Sequence, residues 1–243
     1  DNGGFWDDTM VILCTDHGHY LGEKDIFGKP RVMQYEPIGH TPLLIYHPDA
    51  APNVISTLST NVDLHATLTD LFNINVDHVT HGRSLLPDIL GLKTPEREWA
   101  VGGIFGNWVQ IQDGRYKYAR GPTNDNYPLS MWSNRWSTMP VPYYPGLRLP
   151  NPDARAYIDF MPGSKVPVLR QPFAPGDMLP FWSMDASLDD HYLFDLQEDP
   201  HEEHNLIGSK LEHQMIALLE DALRDLNAPT EQAMRLGLPS ASQ

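Results

Sequence analysis

The chain has 243 residues, and its 41% hydrophobic share is enough for a packed core and too high for global disorder. Acidic residues number 32 against 17 basic ones, a formal net charge of −15, which excludes the basic patch of a nucleic-acid binder. No apolar run reaches the length of a membrane span, and a single cysteine excludes an internal disulfide framework while leaving the compartment unread.

The first predicted element is a strand over residues 9–15, built on Met10-Val11-Ile12-Leu13-Cys14 and ended by Thr15-Asp16-His17-Gly18. Adjacent side chains of a regular strand point to opposite faces. Asp16 and His17 can therefore address one metal ion only if the backbone leaves strand geometry, which Gly18 makes easy. A carboxylate and an imidazole at the C-terminal end of a strand sit where open α/β sheets bind ligands. On those three residues alone a plain turn is the commoner reading. Cys14, inside the strand, is expected to be a small buried hydrophobe.

Further along, Leu43-Leu44-Ile45-Tyr46 predicts a second short strand. Thr60 and Asp63 have capping-box spacing, and Leu64, Leu68, Leu71 and Phe72 then share one helical face. Trp108–Gln112 and Tyr116–Tyr118 alternate around Asp113-Gly114, a strong hairpin signal, and His191–Asp195 predicts another strand of the same small antiparallel sheet. Leu211, Met215, Leu218, Leu219, Ala222 and Leu226 recur at helical spacing and predict a core-facing helix. Residues 121–190 are rich in proline and aromatics (Tyr127, Trp132, Trp136, Tyr143, Tyr144, Phe173, Phe181, Trp182) and read as a long loop-like insertion. Such a segment either borders a site and shapes substrate choice, or forms a homo-oligomer contact or structural padding. The expected organisation is 1–98 as the C-terminal part of a catalytic domain, 99–226 as a subdomain containing that insertion, and 227–243 as a tail. A buried parallel strand near the start needs neighbours and crossover helices that the rest of the sequence scarcely offers, so the chain is expected to be part of a longer polypeptide.

The succession Asp16-His17-Gly18-His19-Tyr20-Leu21-Gly22-Glu23, Phe27-Gly28-Lys29-Pro30, Tyr35-Glu36-Pro37 and His40-Thr41-Pro42-Leu43 resembles the C-terminal half of the sulfatase family, in the alkaline-phosphatase-like superfamily. Val62-Asp63-Leu64, His81-Gly82-Arg83-Ser84-Leu85 and Tyr192-Leu193-Phe194-Asp195-Leu196 with Asp199-Pro200 and Asn205-Leu206 follow in the family's order. The resemblance covers most of residues 1–120 and 190–226. It implies an α/β fold, an alkaline-phosphatase-like mixed sheet flanked by helices, with a small antiparallel sheet and C-terminal helix as a subdomain.

The resemblance implies that Asp16 and His17 are metal ligands, for calcium by family habit; the hard oxygen ligand suits magnesium as well, while the imidazole shifts preference toward manganese or zinc. It implies that Lys29 binds the sulfate and stabilises charge on the leaving oxygen, and that His40 contacts substrate. The family's nucleophile, a formylglycine made in a C-x-[PA]-x-R motif, has no counterpart here: Cys14 is followed by Thr15, Asp16, His17 and Gly18. The activity implied is metal-dependent hydrolysis of a small-molecule sulfate ester, with the formylglycine upstream and this stretch inactive alone. A phosphodiesterase or phosphonate monoester hydrolase of the same superfamily, and a non-catalytic metal- or sulfate-binding remnant, are the alternatives. His201-Glu202-Glu203-His204 spaces its histidines too closely for the H-E-x-x-H metalloprotease motif.

Overall fold

Val11–Cys14 forms strand β1, and its partner is β4 (Leu43–Tyr46), antiparallel in a register running from Val11 opposite Tyr46 to Cys14 opposite Leu43. The computed structural model describes residues 3–29, 32–134, 156–175, 177, 179 and 190–239. They fall into two compact units, Asp1–Pro30 with Gln34–Ala100, and Arg31–Met33 with Val101–Gln243.

In the first unit, the expected buried parallel strand is corrected. Among the described residues β1 has one neighbouring strand, β4, and it is antiparallel. Val11, Leu13, Leu44 and Tyr46 share a face that is left exposed. Cys14 is exposed rather than buried, because it closes the strand at the end where the chain turns away. The chain continues through a small hairpin, β2 (Tyr20–Leu21) with β3 (Phe27–Gly28), whose Tyr20 is fully buried, to the short helix α1 (Glu36–Gly39). The Tyr20 hydroxyl accepts the backbone N–H of Tyr35, which ties the hairpin to the start of α1.

Helix α2 (Val62–Leu71) buries a different face from the one its leucines predicted. Leu68 and Phe72 are exposed, whereas Asp63 and Thr67, one turn apart, are fully buried. Half of the capping box forms: the Thr60 N–H donates to Asp63 Oδ2 at 2.8 Å, while the buried Thr60 hydroxyl has no partner among the described residues. Asp63 Oδ1 accepts the Arg83 N–H at 2.8 Å and the Arg97 guanidinium, and Thr67 Oγ1 accepts the Leu85 N–H at 2.9 Å. The His81–Leu85 segment is thus strapped to α2 ahead of α3 (Leu86–Ile89). Gly82 permits the approach, since a Cβ there would stand 2.3 Å from the Val62 carbonyl oxygen.

The second unit contains a four-stranded sheet in the order β11-β7-β6-β5, made of β5 (Ala100–Gly103), β6 (Val109–Gln112), β7 (Tyr116–Arg120) and β11 (Tyr192–Asp195). The Asp113-Gly114 hairpin and the strand near residue 192 form as the sequence predicted. Asp113 Oδ1 accepts the N–H groups of Arg115 and Tyr116, and Gly114 takes a φ of 96° that favours glycine. Helix α4 (Lys210–Asp225) lies against β6 and β7 and buries Met215, Leu219 and Ala222. Burying each of the two larger side chains contributes about 1.5–3 kcal/mol.

The stretch expected to be loop-like holds a second sheet: β8 (Leu129–Ser133), β9 (Tyr157–Phe160) and β10 (Pro167–Phe173), antiparallel in the order β8-β10-β9. Trp136, Tyr143, Tyr144, Phe181 and Trp182 lie outside the described residues. The expected tail is also corrected. Residues 230–235 form α5 (Thr230–Arg235), followed by the buried Leu236 and Leu238. The buried Glu231 accepts from Ser130 Oγ, Trp132 Nε1 and Arg170 Nη2 at 2.9, 3.2 and 2.8 Å, so a segment that looked small and polar is held by a charged core network.

One histidine ties together two strands of the four-stranded sheet. His191 Nδ1 accepts the Gly121 N–H at 3.1 Å, joining the exit from β7 to the entry into β11. Partial burial pushes the imidazole pKa down and the Arg120 charge adds to this, against weaker upward effects of Glu212 and Asp190. The neutral ring is the form that can accept this bond, so its contribution is full above the unfolded value of about 6.5 and is lost as pH falls below it toward the lower folded value. The expected result is a His191 ring that titrates below pH 6.5 in an NMR titration, with exchange of the Gly121 amide accelerating over the same range. A His191 ring titrating at or above 6.5 would contradict this.

Candidate functional site

β1 ends at Cys14, and the next four residues are held in a turn by side chains and backbone together. Thr15 Oγ1 donates to the His17 carbonyl at 3.0 Å, and the His17 N–H donates to Asp16 Oδ1 at 3.0 Å. From the start of α2, Asn61 Nδ2 donates to the carbonyls of Thr15 and Asp16 at 3.3 and 3.0 Å. The Gly18 N–H donates to the Ile38 carbonyl at 3.0 Å, and a Cβ on Gly18 would meet the Pro37 carbonyl oxygen at 1.8 Å. Glycine is required there for close approach of two backbones.

The turn brings Asp16 and His17 to the same place. Asp16 Oδ2 and His17 Nε2 lie 3.3 Å apart, and Lys29, just past β3, puts its Nζ 2.9 Å from the same Nε2. The other ring nitrogen, His17 Nδ1, is 2.8 Å from the Gly18 carbonyl. A carbonyl only accepts and an ammonium only donates, so Nδ1 carries the proton and Nε2 offers its lone pair. Desolvation is the largest single influence and pushes the Asp16 carboxyl pKa up, but the neighbouring imidazole, the backbone N–H donors and the Thr15 hydroxyl together outweigh it and hold it below the usual carboxylate value. Asp16 is largely exposed and His17 about one-third exposed, so both remain open to a ligand.

A divalent cation fits this donor pair. Ligand atoms bound at about 2.0–2.5 Å stand roughly 3 Å apart around an ion, close to the Asp16–His17 separation. Backbone tethering of Nδ1 is also how metal-binding histidines are commonly aimed.

His40, expected to contact substrate, pairs its Nδ1 with Glu36 Oε2 at 3.0 Å, one turn back on α1. In the second unit, Asp199, Glu203 and His204 also gather donor atoms, but the His204 N–H donates to Asp199 Oδ2 at 2.8 Å within one local turn. Thr15 and Asn61 escaped the sequence reading. The only signal for Asn61 was an N-cap residue type just before Val62-Asp63, and its amide reaches the β1 turn instead of capping α2.

Residues 3–74 match the model of the sulfatase family. The choline-sulfatase of Rhizobium meliloti (strain 1021) is 35% identical over 118 residues, 46% of this chain and 23% of that protein. The N-acetylglucosamine-6-O-sulfatase of Bacteroides thetaiotaomicron is 37% identical over 133 residues, 54% of this chain and 24% of that protein. The chain spans about a quarter of the length of these curated relatives. Among solved structures, the phosphonate monoester hydrolase of Agrobacterium radiobacter superposes with a TM-score of 0.57 at 18% identity, covering 96% of this chain and 38% of that one. A 2-O GAG sulfatase superposes with a TM-score of 0.54 at 17% identity, covering 98% and 38% respectively. At these identities the likeness shows a shared alkaline-phosphatase-like fold.

Proposed function

From the match of residues 3–74 to the sulfatase family model we propose that the chain supplies the Asp16–His17–Lys29 part of the active site of a sulfate-ester hydrolase. The observation that carries the reading is the convergence of an oxygen donor, a nitrogen donor and an ammonium group at one turn. Asp16 and His17 would hold a divalent ion, which when bound would supply positive charge to polarise the sulfate. The mixed donor pair accommodates calcium, the family's usual ion, and also magnesium or manganese.

Lys29 is a compact point charge on a flexible stem, suited to a sulfate oxygen that changes position during reaction. Bound there, it offsets the charge that develops as the ester oxygen departs. Cys14 is not the nucleophile: it closes β1 and lacks the Arg and Pro or Ala of the modification motif. A formylglycine nucleophile would have to be supplied by a C-x-[PA]-x-R motif, and none occurs in these 243 residues. Hydrolysis of a phosphate diester or phosphonate monoester is the second reading, favoured by the imidazole ligand, which suits manganese better than calcium does.

The test measures the native polypeptide on an aryl sulfate and an aryl phosphate diester, with calcium or manganese added. Sulfate turnover that falls by about 10²-fold in Lys29→Ala supports the proposal. Preference for the phosphate diester establishes the second reading, and a folded protein with neither activity overturns both.

A further inference from the structure

Asp16 and His17 are consecutive, and a strand would send their side chains to opposite faces. Something must hold the backbone out of strand geometry just past Cys14. The Thr15 hydroxyl does part of this from within the turn. The other brace comes from far along the chain: one amide group, Asn61 Nδ2, is shared between the Thr15 and Asp16 carbonyls, 46 and 45 positions away. Asn61 stands at the N-cap position of α2, where asparagine ordinarily accepts from the helix's free N–H groups, yet its side chain makes no cap bond. Its donors face the β1 turn.

Resting on the metal-site reading above, we propose that Asn61 is a positioning residue for this centre, fixing the peptide units that carry Asp16 and His17 so that Oδ2 and Nε2 stay at ligand spacing. The same helix start carries Asp63, whose buried carboxylate is bound by Arg83 and Arg97. The clamp is therefore anchored on a rigid element. A carbonyl held by an amide donor cannot rotate away without losing that bond, and such outer contacts commonly contribute 10–100-fold to metal affinity or activity.

Three variants of the native polypeptide test this, with manganese as the probe ion, titrated by isothermal calorimetry and by quenching of its free-ion EPR signal. Asn61→Leu keeps the approximate shape and removes the donors. Asn61→Asp keeps the shape and the helix-cap preference but cannot donate to a carbonyl. Asp16→Ala removes the ligand itself.

The expected result is manganese affinity about 10-fold weaker in both Asn61 variants, with kcat falling more than KM rises and the thermal midpoint little changed. Unaltered affinity in Asn61→Leu, alongside lost binding in Asp16→Ala, overturns the role of Asn61 and leaves the metal site standing. Unaltered binding in Asp16→Ala overturns the metal-site reading and the inference with it. Tighter binding in Asn61→Asp shows that this position acts through charge rather than donation, and also overturns the proposal. Should Asn61→Leu fail to fold, Asn61→Asp decides the matter alone.

Discussion

Replacing Asp16 by alanine in the native polypeptide is expected to lower kcat/KM on a sulfate ester by about 10³-fold while the protein stays folded. The size follows from what is lost. Alanine removes one of two side-chain donors and also the negative charge that draws a divalent ion to the turn. Lys29 Nζ, already 2.9 Å from His17 Nε2, then meets less competition for that lone pair. Stability should hardly move, because the Asp16 side chain is 82% exposed and exposed substitutions usually change stability by less than about 0.5 kcal/mol. Asp16→Asn keeps the shape and a neutral oxygen, so it should retain more ion affinity than alanine. Steady-state kinetics with added calcium or manganese, beside a circular-dichroism melt, separate the two effects. Near-wild-type turnover in Asp16→Ala would remove the residue from the site.

The turn at Asp16-His17-Gly18 was legible because turn-forming residues follow a short apolar strand, while its reading as a metal site came from the family resemblance. The Asp113-Gly114 hairpin and helix α4 were legible because their signals are local: a turn dipeptide between alternating runs, and a stripe at helical spacing. Helix α2 was not. Its leucines have the right period, but a periodic pattern does not say which face meets a partner. The face that is buried carries Asp63 and Thr67, and what makes that tolerable is hydrogen bonding to Arg83, Leu85 and Arg97. Those partners are 20, 18 and 34 positions away, beyond the reach of any local rule. The clamp from Asn61 and the ties of Glu231 were hidden for the same reason, and Glu231 turned a polar C-terminal stretch into packed structure.

That buried network gives the other large expected effect, on stability. Asp63→Ala should destabilise the first unit by about 3–5 kcal/mol, the range for breaking a buried pair by removing one partner. Asp63 is fully buried, and its two oxygens accept from the Thr60 and Arg83 N–H groups and from Arg97 Nη2. Alanine leaves all three donors without that acceptor, around an Arg97 side chain that is 14% exposed and whose buried Nε already has no partner among the described residues. An orphaned guanidinium in such a place costs more than the lost attraction. Asp63→Asn, which keeps an oxygen and the volume, should lose less than alanine. Pairing Asp63→Leu with Arg97→Met removes both charges, and it should recover part of the loss because an apolar pair needs no counter-charge. Urea unfolding, followed by hydrogen exchange at the α2 amides, reads the unit concerned. A loss below about 1 kcal/mol for Asp63→Ala would mean that Arg97 finds water or another acceptor when the carboxylate goes, and that α2 is held by its apolar contacts instead.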